Sequence, residues 1–515
     1  MQNDAKFNQQ HKKISRRDFL GSAVAAYGIA GAQGLTARTV ESAQTMKKRS
    51  YTDRIAFGCW INDIRTEPLS LEEWPSTIID EITMKSVINH FDVLAESGYN
   101  TVDIFGLFAG LGWPVDIVSA VDKDRDGKVR KIIAEAHQRN LKLLYGFGIY
   151  SWGFDAIIQH DAAIRGPNKH AMCASKEESW QWQKKVIDFV LQYDFDGFHL
   201  ESADLGRCTC EECKKRWPID AAYHNYITSR TAEYIRNLLP KAYLSVILLN
   251  WSKWGNDFSD EDKNQLVALS KNVNCLFDQG HRQPYIPKEK RKSFIERLQC
   301  NYGTSGGNWA YAPQRWERLR WFLPYTTRTG NHIKELYEDG GRGIMFYQGP
   351  LNNPGVEVNV IFGGRIMTDV DKSVDDVLSE ILESLYKPKT PLAFKRLVQV
   401  FKRAEDAYFE QWDTQRILTA TKMPPPGEMY FDNLMGTSPG PVKYLLEPFL
   451  TTEGRVAYKQ GMVTCLKEIQ EIENEFNDNG RIDKIKTCLN NVLLDINTIA
   501  FVKNEKQVWD DRIFK

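Results

Sequence analysis

Three residues able to do proton chemistry, His199, Glu201 and Asp204, stand within six positions of one another in FDGFHLESADLGRCTCEECKKRW (195–217). Three thiols, Cys208, Cys210 and Cys213, follow directly. A carboxylic acid paired with a second carboxylate across a sugar ring is the equipment for cleaving a glycosidic bond. Three thiols on one loop suit a tetrahedral zinc site that needs a fourth ligand. Cys173 is the first candidate for it and His170 the second. Four protein ligands leave no open position, so such a zinc is structural, and catalysis needs no cofactor. One or two disulfides, or reduced thiols, are the competing readings of the loop. The full count of nine cysteines is odd, which argues against a complete disulfide framework.

Strands have to place these groups. Short apolar runs recur at 54–60, 100–106, 142–152, 195–202, 242–251, 273–280, 298–309 and 342–350. Helix-like spans separate them at 81–97, 128–139, 177–193, 220–238, 260–270, 287–297 and 315–338. Eight strands alternating with helices predict a parallel (β/α)8 barrel over about residues 51–370. An open doubly wound sheet is the rival, weakened because no glycine-rich phosphate loop follows the first strand. Chemistry in such barrels sits at the C-terminal strand ends. Alternation along the fourth strand sends Phe198 and Leu200 towards the helices. It sends Gly197, His199 and Glu201 into the barrel.

Other strand ends supply a set of candidates. Asp103 ends the second strand, Tyr150 and Trp152 the third, and Asn250 with Trp251 the fifth. Asp278 ends the sixth with His281 beyond it, Trp309 follows the seventh, and Tyr347 and Gln348 end the eighth. The expectation is that Glu201 donates a proton to the leaving oxygen, with Asp278 or Asp204 as its partner and Asp278 preferred. His199, Asp103, Tyr150, Trp152, Asn250, Trp251, His281, Trp309, Tyr347 and Gln348 are expected to bind the sugar.

Residues 1–45 read as an export signal. KKISRRDFLGSAVAAYGIAGAQGLTA has a basic start, the pair Arg16–Arg17, and then a short run rich in alanine and glycine. That order fits twin-arginine export, giving a periplasmic or secreted protein. No later segment is long and apolar enough to span a bilayer. Lysine plus arginine and aspartate plus glutamate both number 67, so no net field draws in nucleic acid. From 371 to 515 apolar residues recur at three- and four-residue spacing, predicting an α-helical accessory domain. The proline- and glycine-rich segment 421–441 interrupts it. DKDRDG (122–127) opens like a calcium loop, but position twelve is Ile133 where a bidentate glutamate is required, so it reads as a solvated charged turn.

DGFHLESADLGRCTCEEC resembles the fourth-strand segment of a group of bacterial barrel glycoside hydrolases, distantly similar to family 20 hexosaminidases and α-glucuronidases. GIYSWGFD (148–155) and MCASKEESW (172–180) fit the same pattern. The resemblance implies a barrel whose acid/base carboxylate follows the fourth strand, which maps to Glu201. The group's small α/β domain before the barrel is missing here. So is the adjacent Asp-Glu pair of N-acetyl-assisted cleavage. A glycan is the implied substrate. A glycan-binding barrel without catalysis is the alternative, and a polysaccharide lyase a third.

Overall fold

The computed structural model describes residues 48–67, 77–109, 112–151, 153–202, 206–248, 259–278, 288–306, 321–409 and 452–499. The signal segment, Trp152, Asp204, Asn250, Trp251, His281, Trp309 and the 421–441 loop lie outside them. Eight parallel strands close on themselves in sequence order. They are β1 (Asp53–Trp60), β2 (Thr101–Phe105), β3 (Lys142–Ile149), β4 (Gly197–Ser202), β5 (Tyr243–Ile247), β6 (Cys275–Asp278), β7 (Asn301–Gly306) and β8 (Gly343–Tyr347). Each is followed by an outer helix. These are α1 (Glu81–Ser97), α2 (Lys123–Gln138), α3 (Glu177–Val190), α4 (Asp220–Leu238), α5 (Asp260–Leu269), α6 (Lys288–Ile295), α7 (Thr326–Glu338) and α8 (Pro354–Thr368). The predicted (β/α)8 barrel is therefore the fold.

Local chemistry sets the helix starts. The Asp80 carboxylate accepts from the Thr83 amide at 2.8 Å and begins α1. Asp122 accepts from the Arg125 amide at 2.8 Å and begins α2. DKDRDG is thus a capped helix start rather than a turn. Its acidic residues sit where the helix dipole favours them.

Side chains sort onto two faces. Leu200, Leu244, Val246, Leu276, Tyr302, Ile344 and Phe346 belong to the layer between strands and helices. Ile55, Trp60, Phe105, Cys275, Phe277, Met345 and Tyr347 form a separate cluster inside the barrel. Large and small residues interlock there: a side-chain carbon on Gly146 would lie 2.2 Å from the Phe105 ring. The β1–β2 register slips between Phe57 and Trp60, a bulge that brings Trp60 opposite Phe105.

Among the described residues four more helices follow: α9 (Val374–Tyr386), α10 (Pro391–Phe409), α11 (Thr452–Ile472) and α12 (Asn479–Ile499). They belong to one compact unit with the barrel. Helix α8 is buried nearly all round because α1, α7, α9 and α12 all pack on it. Buried Glu405 of α10 accepts from the Thr327 and Arg328 amides, at 3.0 and 2.8 Å, capping α7 from a distance. No described helix is long and apolar enough to cross a membrane.

Gly197 opens the strand that carries His199 and Glu201. A side-chain carbon there would lie 1.8 Å from the Tyr243 carbonyl oxygen of β5. The obstacle is backbone and cannot rotate away. Gly197→Ala is expected to destabilise the fold by about 2–4 kcal/mol. Chemical denaturation checks this; a loss under about 0.5 kcal/mol contradicts the tight β4–β5 packing.

Candidate active site

Four interior groups come together between β2, β4 and β5. His199 and Asp103 are completely buried, and Glu201 is 9 % exposed. The His199 Nδ1 lies 2.8 Å from the Ser245 hydroxyl of β5 and 3.9 Å from an Asp103 oxygen. Its ring meets Phe105 edge-on at 6.0 Å, and Phe105 meets Trp60 at 6.1 Å. Both Asp103 oxygens are buried without a hydrogen-bond partner among the described residues. Burial first, and the Glu201 charge second, hold the Asp103 carboxyl well above the usual carboxylate range. Burial pushes the His199 imidazole down to about 3, so it is neutral at ordinary pH. The arrangement is a neutral imidazole and two interacting carboxyls in a space that tolerates one negative charge better than two.

The expected residues fall into different places. His199, Asp103, Glu201 and Tyr347 are inside the barrel. Asp278 is not: it shares the outward face of β6 with Leu276 and accepts a hydrogen bond from the Tyr302 hydroxyl. The Tyr302 ring in turn packs on Phe294 of α6. Asp278 therefore takes the helix-side face of β6, whereas the expected pairing has it on the inner face with Glu201. Gln348 also lies on the outer side. It bonds His90 of α1 at 2.9 Å and the Phe346 carbonyl at 2.6 Å, so it braces the wall. Tyr150 is fully buried in the main hydrophobic core, where burial raises its hydroxyl pKa and the charge of Arg230 of α4 partly offsets this. Its backbone is left-handed, φ +60°, held by a 2.7 Å bond from the Met172 amide to its carbonyl.

Two residues are new to the site. Trp60 is an interior aromatic at the end of β1 beside Tyr347, turned inward by the bulge. Asp63 is buried in the 3-10 turn Ile61–Ile64 just past that strand end. An aromatic closing a strand was a signal in the sequence; the bulge that turns it inward was not.

Cys173, Cys208, Cys210 and Cys213 converge, their sulfurs all within 4.8 Å of one another. Cys173 Sγ lies 3.6 Å from Cys210 and 3.7 Å from Cys213. Those are not bonded sulfurs. Four thiolates about 2.3 Å from one zinc would stand about 3.8 Å apart, so the cluster could hold a metal ion. Gly166 makes room for it, since a side-chain carbon there would lie 2.4 Å from Cys208 Sγ. His170 is engaged elsewhere, with Asp155 at 2.6 Å, which leaves Cys173 as the fourth donor. Three of the thiols come from the segment after β4 and one from the segment after β3.

The chain matches no family model and no curated protein. Among solved structures it is similar to a GH138 enzyme targeting pectin rhamnogalacturonan II. The TM-score is 0.54 at 10 % identity, covering 88 % of this chain and 71 % of that one. CpGH84B gives a TM-score of 0.46 at 11 % identity, covering 88 % and 68 %. A Thermobaculum terrenum O-GlcNAc hydrolase mutant gives 0.44 at 11 % identity, covering 89 % and 98 %. At such identities the likeness is one of fold.

The buried groups set a pH dependence. His199 and His90, whose imidazole burial lowers to about 4, stay neutral in the fold while the unfolded chain protonates them below about pH 6.5. Their contribution is present above that pH and is lost on acidification. Asp103 acts oppositely: its raised value stabilises the fold in acid, and that contribution falls as pH rises above about 4. Between pH 5 and 6.5, His199→Gln should flatten the rise of stability with pH by up to about 1.4 kcal/mol per unit, and Asp103→Asn should steepen it. Urea melts across that range test both; equal slopes in all three proteins contradict the assignment.

Proposed function

We propose that the chain is an exported glycoside hydrolase and that Glu201 is its principal catalytic carboxyl. The observation that carries this is the buried pair Asp103 and Glu201 on the inner face of a closed parallel barrel. Of the two, only Glu201 has any exposure, at the strand ends where barrel chemistry resides. The fold likeness to an enzyme targeting pectin rhamnogalacturonan II supports a glycan as substrate.

In this reading the pair keeps one proton at neutral pH, because two buried carboxylates so placed repel each other. Glu201, the member open to the mouth, passes a proton to the leaving oxygen as the glycosidic C–O bond breaks. Asp103 lies beneath, out of reach of the sugar, and acts as a positioning residue that limits the charge of the pair. Neutral His199 holds the arrangement through Ser245. Trp60 and Tyr347 offer apolar faces to the C–H side of a sugar ring. Asp204 is the partner that activates water or attacks the anomeric carbon, now that Asp278 faces the helices.

Glu201→Gln is expected to lower turnover of an unactivated glycan by about 10²–10⁴-fold while binding persists. An aryl glycoside whose leaving group needs little protonation should lose far less. Wild-type turnover of the unactivated glycan by the variant contradicts the role. Asp103→Asn should shift the pH–rate profile more than it lowers the maximum.

The four-cysteine cluster is proposed as a structural zinc site, with Cys173, Cys208, Cys210 and Cys213 as thiolate donors. Bound zinc would supply a cross-link between the segments after β3 and β4, and no catalytic step. Native protein is expected to carry about one zinc per chain. Cys210→Ser should lower both metal content and melting temperature. A metal-free protein with four titratable thiols would overturn the assignment, and one with disulfides would replace it with a bridge.

A further inference from the structure

A cavity of about 380 Å³ opens on the outer side of the barrel wall, between the β1 and β8 loops, α1 and the start of α12. Its volume lies in the range of small-ligand sites, about 300–1,000 Å³. His90 lines it and is only 2 % exposed. The His90 tautomer follows from its neighbours. The Phe346 carbonyl accepts from the Gln348 amide nitrogen at 2.6 Å, which leaves Gln348 Oε1 as the acceptor facing His90 Nε2 at 2.9 Å. Nε2 therefore carries the proton. Nδ1 is a bare acceptor with no partner among the described residues. It can accept from a hydroxyl or amine of a ligand, and the described residues place no donor on it.

The rest of the lining narrows the ligand. Arg481 pairs with Glu357 and lies 3.5 Å from Asp478, while Lys484 adds a second cation. Two cations against two carboxylates leave the wall electrically balanced. A charged ligand therefore gains little from it. Asn89 adds an amide, and Ile64 and Leu351 add aliphatic surface. Fixed acceptor, amide and apolar patches together match a polyol ring with O–H groups on its rim and C–H groups on its face.

We propose that this cavity is a second saccharide site, separate from the barrel interior, that takes a neutral sugar ring with a hydroxyl donating to His90 Nδ1. The test uses the full chain labelled with ¹⁵N-histidine, with His90 assigned from its loss in His90→Asn. Glucose, galactose, mannose and rhamnose are titrated separately, with galacturonate as the charged control. The expected spectrum shows Nδ1 unprotonated and moving towards the protonated range with at least one neutral sugar. Galacturonate should bind at least about tenfold more weakly. Leu351→Trp, which fills the cavity, should abolish the shift, and Glu201→Gln should leave it intact. A proton on Nδ1, no shift with any neutral sugar, an undiminished shift in Leu351→Trp, or a preference for galacturonate would each overturn the proposal.

Discussion

Closing eight parallel strands leaves one narrow column of inward side chains, and every other feature answers to how that column is filled. The side around β1, β2, β6 and β8 is packed with Phe105, Phe277, Met345 and Trp60. Gly146 on β3 and Gly303 and Gly343 on β7 and β8 give the Phe105 and Phe277 rings room. Among the described residues charge is admitted in two regions: at the start of β1, where buried Asp53 accepts from Asn301, and farther along, where Asp103, His199 and Glu201 meet Ser245. The cost of holding carboxyls in that column is met by keeping Asp103 neutral and His199 uncharged, not by an ion pair. A site made this way is stiff, because its members are fixed by strand register instead of by mobile loops.

The barrel was readable from the recurrence of strands and helices, and several boundaries agree to the residue, as for 81–97 and 220–238. The inward set of β4 was readable too, since Gly197, His199 and Glu201 alternate with Phe198 and Leu200. Asp278 was not. Both faces of a parallel-barrel strand are buried, so VNCLFDQG is apolar on each side and its parity carries no label. The same ambiguity hid Gln348 within FYQG. Trp60 was lost for another reason: a bulge changes the parity inside one strand, and no single-residue signal announces it.

The cysteine cluster was the most legible local feature, because metal or disulfide chemistry constrains spacing more tightly than packing does. Even the long-range member, Cys173, could be named. What the sequence withheld was the route by which it arrives. Met172 is tied to the left-handed Tyr150 carbonyl, and Cys173 to Ile164, so the strained end of β3 fixes the thiol in place.

That tie alters how this barrel can diversify. A (β/α)8 scaffold ordinarily lets each loop change length and content without consulting its neighbours, which is why one architecture hosts many chemistries. Here two successive loops share four sulfurs across a gap of about forty positions in the chain. Neither can be grafted, shortened or randomised alone without stranding the other's thiols. The segments after β3 and β4 form a single heritable cassette, and recombination within the fold should respect its edges at Tyr150 and Trp217.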